Sequence, residues 1–393
     1  MSFIPRNAEK ILKKLAKSYP AVVVTGPRQS GKTTLTQAVF SDKPYVSLED
    51  PDMREFADTD PRGFLAQYPK GAILDEVQRC PDIFSYLQTR LDADKKMGQF
   101  ILTGSQQFGL ISGISQSLAG RTAKISLLPF SLQELQQAGK APKKLEDLLF
   151  KGLYPPIYDR KLEAGIWHAN YIDTYVERDV RQLINVRDLS TFQRFVRMCA
   201  ARTGQLLNLS DLAGDCGITH NTAKAWVSVL EASYIIHLLQ PHHKNFNKRL
   251  IKSPKLYFYD TGLAAWLLNI QTPEQLATHS ARGQLFETWV VSELIKYRYH
   301  QALGSNLYFW RDHKGHEVDV LIEQADKLIP VEIKSGQTVA SDFFDGLKKF
   351  QDIAGKESGQ GTLIYGGSSS QTREAFNVIG WQDIGAVEKA LKA

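Results

Sequence analysis

Gly26-Pro27-Arg28-Gln29-Ser30-Gly31-Lys32-Thr33 is the stretch that decides the fold. It fits G-x-x-x-x-G-K-[ST], and it lies between a buried strand predicted at Ala21 to Thr25 and a helix predicted to begin near Lys32. Glycines at both ends let backbone amides turn inward around phosphates, and the helix N-terminus adds the positive end of its dipole. Lys32 would meet the β and γ phosphates. Thr33 would place its hydroxyl on Mg²⁺, with Thr34 beside it in the ATP-binding set.

Such a loop needs an acidic partner, and Ala72-Ile73-Leu74-Asp75-Glu76 supplies a buried strand ending in two carboxylates. Asp75 would hold the magnesium shell. Glu76 would orient and deprotonate the attacking water, a task that requires a carboxylate near the γ phosphate but free of the metal. The alternative, an Asp-Glu pair capping the next helix, is disfavoured by the order of loop and acidic strand. Phe100 to Gln106 reads as another buried strand ending in small polar residues. Ser105 or Thr103 there would contact the γ phosphate or its water, unless the segment is only a polar turn. Arg121, in Leu118-Ala119-Gly120-Arg121-Thr122, is a candidate arginine finger because a planar cation suits spread negative charge. Its alternative is a solvated turn arginine. Arg178 and Arg181, on a helix predicted from Tyr171 to Leu183, are secondary candidates.

Outward from this centre, apolar runs at Tyr45 to Leu48, Gly71 to Asp75, Phe100 to Thr103 and Lys124 to Leu128 alternate with helix-like segments, the pattern of a parallel sheet wound with helices. Residues 1 to 18 read as an amphipathic helix carrying Ile4, Ile11, Leu12 and Leu15 at helical spacing. The chain has 393 residues, 43% of them hydrophobic, which suggests two or three packed domains. Four segments are expected: a core at 1–129, a helical lid at 130–186, a helical module at 187–270 and a small α/β unit at 281–393. The two prolines of Gly152-Leu153-Tyr154-Pro155-Pro156 predict an extended or turned interruption of the lid.

The loop, the Asp75-Glu76 strand, the Thr103-Gly104-Ser105 strand and the stretch from Leu118 to Glu134 resemble the AAA+ ATPases. More closely, they resemble a prokaryotic family in which such a module precedes a C-terminal domain of unknown function with a restriction-endonuclease-like core. Leu127-Leu128-Pro129-Phe130-Ser131 and Tyr175-Val176-Glu177-Arg178-Asp179 match it as well, so the resemblance covers nearly the whole chain. It implies an α/β fold with a parallel sheet of order 5-1-4-3-2 and a tendency to form homo-oligomers, rings among them.

Within 187–270, helical runs precede strand-like runs at Tyr234 to Leu239 and Lys255 to Tyr259, an order that suggests a winged helix-turn-helix. Ser210 is expected to cap the first helix of the pair. Cys216-Gly217-Ile218 gives the turn, and Thr219 caps the second helix. That helix carries His220, Asn221, Thr222 and Lys224 near its start, where a recognition helix meets base edges, while Ala223, Trp226, Val227 and Leu230 suit a buried side. The segment from His242 through Lys255 holds Lys244, Lys248 and Arg249 among five basic residues and no acid. It reads as a basic wing for phosphates. A subunit contact or a solvated hairpin is the competing reading.

In the last unit a helix at Gly283 to Tyr297 precedes strands at Asn306 to Trp310, Glu317 to Ile322 and Ile329 to Ile333, a helix around Phe343 to Phe350 and a strand at Thr362 to Tyr365. If the second and third strands pair, Asp319, Glu332 and Lys334 share one face, since positions two apart along a strand point the same way. Two carboxylates there would hold a divalent metal and Lys334 would position water. Glu287, on the preceding helix, would be a fourth member. The set resembles the PD-(D/E)xK nuclease pattern, from which it departs in having Val318 before Asp319. A scaffold whose charges satisfy one another is the competing reading.

Net charge of +6 permits a polyanionic partner without demanding one. The three cysteines, Cys80, Cys199 and Cys216, form no Cys-x-x-Cys pair and read as reduced thiols. No apolar run approaches the roughly 20 residues that cross a bilayer, and the opening residues lack a secretion signal, so a cytoplasmic location without membrane partners is expected. The parts together predict an ATPase that remodels or translocates on DNA, branched DNA included. Two rivals are an ATP-gated, metal-dependent nuclease and a signalling switch that holds protein partners.

Overall fold

The computed structural model describes residues 4–105, 117–175, 188–242, 252–373 and 375–387. Its first part alternates strands and helices: α1 (Glu9–Ser18), β1 (Ala21–Thr25), α2 (Lys32–Val39), β2 (Tyr45–Ser47), α3 (Pro51–Thr59), α4 (Pro61–Ala66), β3 (Ile73–Asp75), α5 (Ile83–Ala93), β4 (Phe100–Gly104) and β5 (Thr122–Ser126). Among the described residues these strands form one parallel sheet of order β2-β3-β4-β1-β5, the order implied by the resemblance. β1 lies inside the sheet between β4 and β5, running from Ala21, beside Phe100 and Thr122, to Thr25, beside Gly104 and Ser126. All its side chains are buried because both faces are covered: Ala21 and Val23 pack with Phe64, Phe84 and Leu102, and Val22 and Val24 with Leu12, Leu35 and Ile125.

Short helices follow at α6 (Leu132–Gln137), α7 (Leu145–Lys151), α8 (Pro155–Asp159) and α9 (Ala164–Tyr175). A capping box fixes the start of α6, with the Ser131 hydroxyl accepting from the Glu134 N–H and Glu134 accepting from the Ser131 N–H. The next part comprises α10 (Leu189–Ala201), β6 (Gln205–Leu206), α11 (Leu209–Cys216), α12 (His220–Ala232), β7 (Ile236–Leu239) and β8 (Lys255–Phe258), then α13 (Thr261–Leu267) and α14 (Pro273–Leu276). Among the described residues β6, β8 and β7 make a small antiparallel sheet in that order.

The last part holds α15 (Arg282–His300), β9 (Leu307–Arg311), β10 (Glu317–Gln324), β11 (Lys327–Lys334), α16 (Asp345–Ala354), β12 (Thr362–Tyr365), β13 (Gln371–Arg373) and β14 (Phe376–Gly380). Among the described residues the sheet order is β13-β14-β12-β11-β10-β9, with β9, β10 and β11 antiparallel and β11, β12 and β14 parallel. Val320 and Val331 turn towards Trp289 and Leu285 of α15, whereas Val318 and Leu321 pack with Phe350 of α16. The paired register, Val320 opposite Val331, brings Asp319 and Glu332 to adjoining positions as expected.

Several boundaries differ from the sequence reading. The first helix starts at Glu9, because Pro5 and Arg6 lie in an extended entry where Arg6 is turned to buried partners. The helical region is interrupted at Gly152 to Tyr154 as expected, and Pro155 and Pro156 then open the next helix, their fixed φ and missing N–H being harmless in a first turn. Asn208, not Ser210, caps α11, its side chain accepting from the N–H groups of Ser210 and Asp211. β5 lies two residues earlier than the run from Lys124. Helices α13 and α14 and strands β6, β13 and β14 were not anticipated. Among the described residues, no helix is long and apolar enough to cross a membrane.

Candidate functional site

The loop leaving β1 is shaped by backbone conformations that select its residues. Gly26 has φ of 145°, and a Cβ there would lie 2.1 Å from the Leu127 carbonyl oxygen, so only glycine fits. Gly31, at φ of 92°, is the left-handed N-cap of α2, and Gln29 is also left-handed at φ of 58°. The Lys32 ammonium is buried and donates to the carbonyls of Gly26 (3.0 Å) and Pro27 (2.7 Å). The opening N–H groups of a helix have no intrahelical partner, and they lie where the dipole favours an anion. Ser30 Oγ is buried with no hydrogen-bond partner among the described residues. A cradle with its own donors and an orphaned hydroxyl fits a polyphosphate.

Asp75 and Glu76 stand at the carboxyl edge of the same sheet. The Thr33 hydroxyl donates to Asp75 Oδ2 at 3.0 Å, Tyr45 donates to the same oxygen at 2.7 Å, and Thr103 donates to Oδ1. Burial, and then the bond to Asp75, push the Tyr45 hydroxyl pKa upward, so it remains a donor. Thr33 and Asp75 form a hard-oxygen pair of the kind that suits Mg²⁺. Glu76 is left-handed at φ of 54° and caps the turn Val77–Arg79. This sparsely populated conformation is one that proteins retain at functional positions. Ser105 Oγ donates to Glu76 Oε2 at 3.1 Å and Gln78 donates to the same oxygen. Ser105 and Thr103 are therefore each tied to one of the two carboxylates.

Thr33 and Glu76 border a cleft of about 690 Å³ that is also lined by Arg6, Lys32, Pro155 and Tyr171. A volume of this order suits a nucleotide. Two residues without a sequence signal hold the phosphate loop, and one of them, Arg6, lines the cleft. Arg6 donates to the Ser30 carbonyl (2.7 Å), the Leu128 carbonyl (2.6 Å) and the Glu134 carboxylate (3.1 Å), joining the phosphate loop to the start of the short helices. From α9, Trp167 Nε1 donates to Gln29 Oε1 at 2.9 Å. No local pattern announces either contact, because each partner is far away in sequence.

Arg121, the candidate arginine finger, stands away from the nucleotide cleft of its own chain. Its carbonyl accepts from the Ala21 N–H at the amino end of β1, so it sits one strand length, roughly 13 Å, from the carboxyl edge. Its guanidinium grips Asp92 with two hydrogen bonds, of 2.6 and 2.8 Å. Arg178 and Arg181 lie outside the described residues, as do Lys244, Lys248 and Arg249.

On α12, Thr219 caps the helix as expected, with His220, Asn221 and Lys224 exposed, Thr222 half-buried and Ala223, Trp226, Val227 and Leu230 buried. Lys255 departs from the basic-run reading: it is 3% exposed and turned into the C-terminal part. There its ammonium lies 3.0 Å from Glu287 Oε1, pairs with Glu317 and stands 4.0 Å from Asp319 Oδ1. Lys334 pairs with Glu332 at 2.6 Å. Glu287, Asp319, Glu332 and Lys334 are thus brought together, around a lysine that sequence reasoning had placed elsewhere. Burial, then the neighbouring carboxylates, raise the pKa values of Glu287 and Glu332. Burial opposes the charge of Lys255, but the surrounding acidic groups outweigh it and hold the ammonium protonated.

Comparison with known proteins gives the class. Residues 18–136 match the AAA domain family, residues 142–274 a domain of unknown function (DUF8612) and residues 282–384 another (DUF4143). With the fold and loop described above, the first match makes the chain an AAA-type ATPase. An uncharacterized protein of Mycobacterium tuberculosis (Rv2008c) and one of Mycobacterium bovis (Mb2031c) are each 30% identical over 339 residues, spanning 85% of this chain and 74% of theirs. The chain belongs to the family of these two proteins. Similar solved structures include a Walker-type ATPase of Pyrococcus abyssi (15% identity, TM-score 0.45, 67% of this chain and 96% of that one). A DnaA of Aquifex aeolicus bound to AMPPCP is another (14% identity, TM-score 0.29, 57% and 85%).

Proposed function

We propose that the chain hydrolyses ATP with Mg²⁺ and uses the cycle to remodel DNA or move along it, branched DNA included. The observation that carries this reading is the hydrogen bond shared by the Tyr234 hydroxyl and Thr25 Oγ1 at 2.7 Å. Tyr234 follows the end of α12, the helix with exposed His220, Asn221 and Lys224, and Thr25 is the last residue before the phosphate loop. A displacement of that loop on hydrolysis would therefore reach the foot of the helix proposed to meet DNA.

In this reading Lys32 and the loop amides from Gly26 to Thr34 hold the phosphates, and Thr33 and Asp75 would hold Mg²⁺, which would supply neutralisation of phosphate charge. Glu76, positioned by Ser105, takes a proton from a water. The water oxygen bonds to the γ phosphorus as the bond to the bridging oxygen breaks, leaving ADP and phosphate. Arg121 acts on the site of a neighbouring copy, which makes a homo-oligomer, in ring form, the working state. The division at 1–129, 130–186, 187–270 and 281–393 then comprises motor, lid, winged helix-turn-helix and nuclease-like unit, at work in the cytoplasm.

The test is ATP turnover and DNA binding measured across a salt series, for wild type and Lys224→Ala. Stimulation of turnover by DNA, with binding that weakens steeply as salt rises and is poorer in the variant, supports the reading. Absence of both DNA binding and stimulation contradicts it and favours a switch that holds protein partners.

A further inference from the structure

The PD-(D/E)xK resemblance requires a divalent metal at Glu287, Asp319 and Glu332, and the arrangement of those residues does not fit one. Metal-bound carboxylate oxygens converge to within about 2.0–2.6 Å of a common point. Here the point between Glu287, Glu317 and Asp319 is taken by the Lys255 ammonium. Among the described residues no group of three or more His, Cys, Asp or Glu side chains is disposed to hold a metal. Asp319 spends Oδ2 on the Ile333 N–H at 2.8 Å. Glu332 gives Oε1 to Lys334, while its Oε2 is buried with no hydrogen-bond partner among the described residues.

Charge accounting gives the arrangement a purpose. Four carboxylates, Glu287, Glu317, Asp319 and Glu332, face three cations, Lys255, Lys334 and Arg311, the last lying 3.2 Å from Glu317. Without Lys255, Glu287 and Asp319 lose the ammonium that stands between them, and a cation from solvent is what remains to offset their charge. Lys255 is supplied from β8, an element of the preceding small sheet, and reaches across the seam between the two parts. A cleft of about 650 Å³ opens on that seam beside Gln205, Lys255, Asp319 and Lys334, so an ion from solvent has a path to the carboxylates.

We propose that Lys255 is a tethered cation standing in the metal position of the C-terminal carboxylate cluster. The cluster is closed to divalent metal while β8 packs against it and becomes a metal site when the lysine charge is withdrawn. This rests on reading Glu287, Asp319 and Glu332 as a metal-type set.

The experiment measures Mn²⁺ binding to nucleotide-free full-length chain by calorimetry and by the loss of free Mn²⁺ paramagnetic signal. Wild type, Lys255→Arg, Lys255→Met and Lys255→Met combined with Asp319→Asn are compared. The expected result is one Mn²⁺ bound by Lys255→Met at least about tenfold more tightly than by wild type or Lys255→Arg, and lost again in the double variant. ATP turnover of Lys255→Met serves as the folding control. Should that variant melt early because its carboxylates are left uncompensated, Mn²⁺ is expected to raise its melting temperature, an effect absent in the double variant. Asp319-dependent Mn²⁺ binding by wild type overturns the role of Lys255 while leaving the metal-type set intact. Neither binding nor thermal rescue in Lys255→Met overturns both.

Discussion

Arg6 and Glu134, 128 residues apart, form an ion pair of 3.1 Å with side chains 3% and 0% exposed. Its remaining nitrogens hold the carbonyls of Ser30 and Leu128, so one guanidinium fixes the phosphate loop, the end of the central sheet and α6 against each other. Removing one partner of a buried pair strands the other charge, at a cost of about 3–5 kcal/mol. Arg6→Met is expected to lose that much in denaturant unfolding, and a loss below about 1 kcal/mol would remove Arg6 from its bracing role.

Glu76 carries the proposed proton transfer. Glu76→Gln keeps its size and its neighbours while losing basicity, so nucleotide affinity is expected to stay within a few-fold of wild type. Turnover should fall about 10²- to 10⁴-fold. Ser105→Ala, which frees Glu76 Oε2 from one donor, should lower turnover less, with little change in KM. Single-turnover kinetics beside equilibrium nucleotide binding separates the two, and equal turnover in Glu76→Gln and wild type sinks the assignment.

Arg121 faces Asp92 on the protein surface, away from its own cleft. Arg121→Ala should therefore bind ATP normally and hydrolyse it poorly. Mixing it with Glu76→Gln should restore part of the turnover, because a Glu76→Gln copy still offers Arg121 to a neighbour whose Glu76 is intact. No restoration at any mixing ratio contradicts action between copies.

His300 gives a pH signature. It is fully buried, its Nε2 accepts from the Leu128 N–H at 3.2 Å, and burial pushes its pKa down to about 3 despite nearby Glu134, with Arg6 and Lys296 acting in the same direction as burial. An unfolded histidine titrates near 6.5, so between these values the unfolded chain binds a proton that the folded chain refuses. Stability is thus lost as pH falls below about 6.5. From pH 7.5 to 5.5 wild type should lose about 1.4 kcal/mol more than His300→Gln in urea unfolding. An equal loss in the two proteins would mean that His300 is protonated in the fold.

Legibility in the sequence followed the range of the contacts. The loop from Gly26 to Thr33 and the pair Asp75-Glu76 could be read because their chemistry is set by neighbours a few residues away on strand and helix. The unbroken apolar run of β1 likewise predicts an interior strand with both faces covered. Arg6 could not be read, since its partners Glu134 and Leu128 come from the far end of the module. Lys255 misled for the same reason: in sequence it ends a basic run, whereas folding sets it against Glu287 and Glu317. The break at Gly152 to Tyr154 is legible from its prolines, but that Pro155 and Pro156 open the next helix is not, because proline ends a helix or begins one according to its position in the turn.

A cradle from Gly26 to Thr34 that encloses a triphosphate under the grip of Lys32 has a simple signature in binding. It is tested most directly by calorimetric titration of Mg²⁺-ATP into wild type and Lys32→Ala, run beside phosphate release. Each wild-type chain is expected to bind one ATP and to release phosphate from it, with affinity at least about tenfold weaker in Lys32→Ala. Wild type that takes up no ATP in the presence of magnesium, or equal binding by the two proteins, would contradict it.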